Sequence, residues 1–160
     1  MKVNRKKVRN VIQSDYLISC TTNLNSDEYL KFEKIRKGSF WIDIIIGQDF
    51  KCYYCKTDIR TIQKLILNHL IGLRKRGPSG YSGLHFELDH KNANKLDNSS
   101  QNLVAACYYC NNDKSNTISE NVFLSYFGPQ RKIAFEKLIQ DNKLKTDDLF
   151  VHHLTLISDK

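Results

Sequence analysis

The sequence predicts an α+β domain, a β-β-α unit dressed with helices on both sides, and three observations carry that expectation. Two Cys-x-x-Cys pairs, Cys52–Cys55 and Cys107–Cys110, have the spacing of metal ligands. Leu84–His90 alternates between apolar and polar residues, Asn92–Gln101 is polar, and Leu103–Cys107 is apolar, which reads as a strand, a loop and a second strand. A helix over Cys110–Asn116 follows directly, and outside this unit apolar residues recur at helical spacing.

The N-terminal stretch holds a basic arm, Arg5-Lys6-Lys7-Val8-Arg9, then Val11-Ile12 and Tyr16-Leu17-Ile18 as candidate strand pieces. Asn25-Ser26-Asp27-Glu28 has the form of a capping box, so a helix is expected through Tyr29, Leu30, Phe32 and Ile35 to Gly38. Phe40–Ile46 is short and apolar and is read as a helix before the turn Gly47-Gln48-Asp49. Ile62, Leu65, Ile66, Leu70 and Leu73 set a helical period over Ile59–Leu73, and Arg74–Gly83 is a basic, glycine-rich loop. Ser119–Phe127 and Pro129–Gln140 read as two helices separated by Gly128, with Pro129 at a first helical position. The resulting organisation is an N-terminal arm and helical extension over residues 1–50, a core over 51–127 and a helical extension over 128–160.

Composition narrows the function classes. With 160 residues, 41% hydrophobic and 11% aromatic, the chain can bury a core. No apolar run approaches the roughly 18 residues that span a bilayer, and no signal-peptide h-region follows the basic start, so no membrane association and a cytoplasmic location are expected. The net charge of +8 is uneven: residues 1–80 carry 16 Lys and Arg against 7 Asp and Glu, residues 81–160 carry 9 against 10. A basic surface favours polyanions, nucleic acid first, through counterion release, although a charge run is also an ordinary solvated face.

Four thiolates in two clasps are the ligand set of tetrahedral structural Zn²⁺, and the 51 residues between the pairs are pinned at both ends by such a site. A redox motif competes, and two matched pairs weaken it; Cys20 reads as a small buried hydrophobe. Asp89 and His90 end the first strand, on opposite faces by alternation, and Asn111 lies in the first turn of the helix. Aspartate and asparagine oxygens suit Mg²⁺, which keeps waters and takes substrate phosphates, and His90 beside that ion is placed to take a proton from water. Each residue also has an ordinary reading, Asn111 as a cap and Asn102 as a turn residue; their joint order between the cysteine pairs favours chemistry.

Glu87-Leu88-Asp89-His90, Asn102-Leu103 and Cys107-x-x-Cys110-Asn111-x-x-Lys114 resemble the signature of the HNH (ββα-metal) endonucleases in their zinc-stabilised branch, with Cys52-x-x-Cys55 completing it. The likeness covers roughly residues 50–127. Asn111 stands where the family name has histidine; asparagine also occurs there in phage Holliday-junction resolvases and in the HNH domain of CRISPR effector nucleases, and it favours Mg²⁺ over a softer metal. Phe40-Trp41, Cys-Tyr-Tyr-Cys and the stretch Asn102–Ser119 look like the small rare-cutting HNH restriction enzymes. The resemblance implies a ββα-metal core with a four-cysteine zinc site formed by Cys52, Cys55, Cys107 and Cys110. It implies Asp89 and Asn111 on catalytic Mg²⁺, for which Mn²⁺ substitutes, His90 as general base, Asn102 orienting the His90 ring, and Lys114 near the phosphate backbone.

The implied activity is metal-dependent hydrolysis of DNA to 5′-phosphate and 3′-hydroxyl ends, as in a type II restriction enzyme acting as a homodimer beside a cognate methyltransferase. A resolvase-like or nicking nuclease is the nearest alternative, and an inactive zinc-dependent DNA-binding module the alternative from another class. Arg74, Lys75 and Arg76 are further candidates for phosphate contact. Glu87 is expected to brace the loop, His85 is a weaker candidate as an auxiliary ligand, and the Tyr53-Tyr54 and Tyr108-Tyr109 pairs are expected to pack around the cysteine lobe.

Overall fold

Strand β1 (Thr21–Leu24) pairs antiparallel with β6 (Phe150–His153), Thr21 opposite His153 and Leu24 opposite Phe150, so distant parts of the chain close on each other. The computed structural model describes residues 21–76, 80–145 and 148–153. The basic arm, the candidate strand pieces near Val11 and Tyr16, and Cys20 lie outside them. Between β1 and β6 run α1 (Ser26–Lys37), α2 (Ser39–Gly47), α3 (Ile59–Leu67), β2 (Arg74–Arg76), β3 (Gly80–Ser82), β4 (Glu87–His90), β5 (Leu103–Ala106) and α4 (Tyr108–Lys114). Then α5 (Glu120–Val122), a π-helical turn (Phe123–Phe127) and α6 (Gly128–Asp141) follow without a break. Among the described residues the sheets are three antiparallel pairs, β1–β6, β2–β3 and β4–β5. The chain is therefore a mixed α+β structure.

The capping box forms as the sequence predicts: Asn25 Oδ1 accepts from Glu28 N at 3.0 Å, and Glu28 Oε2 accepts from Asn25 N at 2.9 Å. The segment over Phe40–Ile46 is helical, within α2, and buries Trp41 and Ile45. α3 ends at Leu67, six residues short of the expected Leu73. His69 turns left-handed at φ 58°, His69 N donates to Ile66 O, and Leu70 N donates to Leu65 O. These are the two bonds of a Schellman motif, built here on a histidine where glycine is the usual signal. The expected loop over Arg74–Gly83 contains instead the short ribbon β2–β3.

β4 is shorter than the alternation of Leu84–His90 predicts. Leu84, His85 and Phe86 are buried ahead of it, and the Leu84 carbonyl is taken by the buried amide of Gln63 at 2.6 Å. Gln63 also exchanges two bonds with the Val151 backbone. Gln48 does the same for Ala105, accepting from its N–H at 2.9 Å and donating to its carbonyl at 2.8 Å. Two side-chain amides thus bond buried backbone groups as a neighbouring strand would, the Ala105 carbonyl accepting from Tyr53 N as well.

The expected break at Gly128 does not occur. Pro129 has no N–H, and its ring would crowd the carbonyl four residues back in an α-helix. The backbone widens there instead, with Gly128 N donating to Phe123 O in the π pattern. Gly128 serves a close approach: a Cβ on it would lie 2.4 Å from the Tyr54 carbonyl oxygen.

One buried cluster runs from Tyr29 through Trp41, Ile62 and Phe86 to Phe150 and Val151, so the segments 1–50, 51–127 and 128–160 share a core. Within it Glu33 is fully buried, accepting from Trp41 Nε1 at 2.6 Å and Arg36 Nη2 at 2.7 Å, with His85 Nδ1 at 2.8 Å. No described helix is long and apolar enough to cross a membrane.

Candidate functional site

The Sγ atoms of Cys52, Cys55, Cys107 and Cys110 lie within 4.8 Å of one another, all four residues buried. Cys52 and Cys55 sit on the turn before α3. Cys107 caps α4, its sulfur accepting from Cys110 N at 3.4 Å, while Cys52 Sγ accepts from Cys107 N at 3.3 Å. Hydrogen bonds from Cys107, Cys110 and Cys52 hold the Cys55 thiol far below its ordinary pKa, whereas burial pushes Cys107 up. Four mutually close sulfurs cannot all ionise in a buried site without a cation to balance them. The soft donor set, the short distances and the closed surroundings fit structural zinc.

α4 joins the cysteine cluster to an open cleft through successive residues. Its first turn holds Cys110; the next residue, Asn111, lines an open cleft of about 420 Å³ together with Asp89 and His90 from the end of β4. Strand alternation puts Asp89 and His90 on opposite faces, yet both line this cleft, because β4 ends at His90 and the chain turns away through Ala93 at φ 61°. Ala93 N donates to His90 O at 2.9 Å. Asp89 Oδ2 accepts from the Tyr54 hydroxyl at 2.5 Å and pairs with Lys114 Nζ at 3.2 Å. Both contacts fall on one oxygen, so Oδ1 remains for another ligand. Asn111 Nδ2 donates to Glu87 Oε2 at 2.6 Å, which leaves its Oδ1 as the acceptor. These two oxygens, one charged and one neutral, are of the hard donor type that divalent cations such as Mg²⁺ take.

His90 Nε2 lies 3.0 Å from Asn98 Oδ1. With an amide oxygen as the acceptor, this contact favours the tautomer of the neutral ring that has its hydrogen on Nε2 and its lone pair on Nδ1. The polar loop after β4 is stitched internally: Asn92 Nδ2 donates to Asp97 Oδ2, Asn94 N to Asn92 Oδ1, and Ser99 N to Asp97 Oδ1. It places Lys95 on the cleft, the cation among the described lining residues.

Several expected roles are redistributed. Asn102 does not hold the His90 ring; its amide accepts from Asn92 N at 3.0 Å and donates to Asp97 O at 2.8 Å, so it closes the loop while Asn98 meets the ring. Lys114 does not face a phosphate. It is fully buried, on Asp89 and the His90 carbonyl, because its stem runs inward from the last turn of α4. His85 is no auxiliary ligand of the cleft, being committed to Glu33, and His152 is buried against Phe32 and His85. Glu87 accepts from Asn111 Nδ2. Arg74, Lys75 and Arg76 form β2, two-stranded with β3.

The tyrosine pairs pack about the cysteine lobe, Tyr54 edge-on to Phe123 and Tyr109 edge-on to Phe135, with Tyr53 donating to Glu120 at 2.6 Å. The reach of Tyr54 from the cysteine turn to Asp89 had no signal in the sequence, since 35 residues separate them. Burial, then the bond to Asp89, pushes the Tyr54 hydroxyl well above its ordinary pKa, so it stays a donor. Asn98 and Lys95 were visible only as members of a polar loop. Compared with family models, with curated proteins and with solved structures, the chain finds no match.

Proposed function

We propose that the protein is a metal-dependent endonuclease of the HNH (ββα-metal) type that hydrolyses DNA, with a structural zinc on Cys52, Cys55, Cys107 and Cys110. The observation that carries this reading is the convergence of Asp89, His90 and Asn111, from a strand end and a helix, on one open cleft beside a closed cysteine site. The β4–β5 pair followed by α4, which packs on β4, supports this reading.

In this reading Asp89 and Asn111 hold Mg²⁺ through their Oδ1 atoms. When bound, the ion supplies positive charge against the phosphate and the leaving oxygen. His90 Nδ1 takes a proton from water as the water oxygen bonds to phosphorus, and the P–O3′ bond breaks. Protonation of the departing oxygen leaves a 3′-hydroxyl and a 5′-phosphate. Asn98 keeps the hydrogen on Nε2, so the lone pair stays on the nitrogen that works. Glu87 holds the Asn111 amide, and the loop closed by Asn102 holds both Asn98 and Lys95 in place.

A restriction-type cutter of palindromic duplex acts as a homodimer, since one such core is one active site and two-fold DNA matches a two-fold protein. The test is cleavage of supercoiled plasmid and phage genomic DNA in Mg²⁺, with His90→Ala beside the unaltered protein. Discrete fragments that vanish in the variant support the restriction reading. Nicks or smears that vanish keep the chemistry and remove that role. Absence of cleavage on linear, supercoiled and branched DNA, in Mg²⁺ and in Mn²⁺, overturns the nuclease in favour of a DNA-binding module.

A further inference from the structure

We infer that Lys114 neutralises the metal-binding carboxylate from within, so that the cleft takes up a divalent cation strongly only together with a substrate phosphate; this rests on the metal-dependent nuclease reading above. Lys114 is fully buried, with its ammonium 3.2 Å from Asp89 Oδ2, 3.3 Å from the His90 carbonyl oxygen and 5.6 Å from the centre of the Tyr54 ring. An ammonium removed from water needs an anion in contact, and Asp89 is that anion. Tyr54 donates to the same oxygen at 2.5 Å. The carboxylate therefore presents one oxygen to the cleft, and its charge is already matched.

The other groups around the cleft do not restore the deficit. Asn111 offers a neutral oxygen, its Nδ2 held by Glu87, and Lys95 adds a positive charge to the cleft lining. Affinity of an oxygen site for a hard cation follows the number of charged ligands, and here the single charged ligand, Asp89, is already paired with Lys114. A nucleic-acid phosphate brings both a negative charge and an oxygen ligand. Cation and DNA then strengthen each other's binding by the same factor, as linkage requires. Lys114 is a positioning residue in this scheme, setting the charge and orientation of Asp89 from behind it.

The test is Mn²⁺ binding by electron paramagnetic resonance, on zinc-loaded protein carrying His90→Ala so that DNA is not cut, with and without a short duplex oligonucleotide. The duplex is expected to tighten Mn²⁺ binding by about tenfold or more. Adding Lys114→Met is expected to tighten binding without DNA by a similar factor and to shrink the effect of DNA, and Asp89→Asn to abolish both. Equal Mn²⁺ affinity with and without duplex overturns the inference. So does unchanged affinity in Lys114→Met whose Co²⁺-substituted form keeps its thiolate absorption, the sign of an intact cysteine site. If that absorption is lost, the duplex effect in the Lys114-containing protein decides. Cleavage by the His90-containing protein without a duplex effect sinks this inference alone; no cleavage and no Mn²⁺ binding sinks the nuclease reading with it.

Discussion

The cysteine cluster and the Asp89 cleft share one short helix and differ in nearly every physical respect. The first has four identical soft donors, all buried, from two turns that clasp a point. The second has unlike hard donors, lies open, and keeps acceptor capacity unspent on Asp89 and Asn111. A closed site spends its ligands on stability, and an open one leaves positions for chemistry. Placing both on α4 ties the geometry of the cleft to the integrity of the cluster, and Tyr54 adds a second tie from the other cysteine pair.

The harshest test of that contrast is Cys110→Ser. Losing a buried thiolate ligand removes a contribution on the order of 10 kcal/mol, comparable to the whole stability of a domain. Circular dichroism should show an unfolded chain at room temperature, and a chelator should do the same to the unaltered protein. His90→Ala should behave in the opposite way: cleavage falls by about 10²- to 10⁴-fold, while the midpoint of thermal unfolding hardly moves, because the ring is only half-buried. A stability loss in His90→Ala as large as that of Cys110→Ser would erase the distinction between the two sites.

A third, smaller test lies away from both. Burial raises the pKa of Glu33, but hydrogen bonds and charge from His85 and then Arg36 outweigh it and hold the group at about 2, against 4.5 for a free glutamate. A depressed carboxylate stabilises above its unfolded pKa and loses that contribution as pH falls through the folded one. The gap in unfolding free energy between the unaltered protein and Glu33→Gln should be about 3 kcal/mol at neutral pH and close between pH 4.5 and 2. Taking the difference removes the acid lability of the thiolates, which both proteins share. A gap independent of pH in denaturant titrations would mean that packing, not charge, sets the role of Glu33.

Gly128→Ala should cost about 2 kcal/mol, since the methyl group meets the Tyr54 backbone and one side must move. Because Tyr54 holds Asp89, the same substitution should also lower cleavage severalfold, unlike an overpacked site remote from both centres. Unfolding and cleavage assays on one preparation separate the two effects.

Local chemistry was legible along the chain. The capping box at Asn25, the two cysteine pairs and the hairpin into α4 follow from short-range spacing, because helix period, strand alternation and metal clasps are set by neighbours, whereas strand alternation alone would have put Asp89 and His90 on opposite faces. Some local expectations still failed for local reasons: His69 took a left-handed cap with no glycine to announce it, and Pro129 widened a helix where Gly128 suggested a break.

What lay beyond the sequence was partnership at a distance. Lys114 looks like a surface lysine four residues past a cysteine, and only packing reveals that it is buried on Asp89. The closure of β1 on β6, the reach of Tyr54 to Asp89 and the capture of His85 by Glu33 likewise join residues far apart in the chain. Such pairs carry no sequence period, since what brings them together is the shared burial of the elements that carry them, and a buried charge must then take whichever partner the fold delivers.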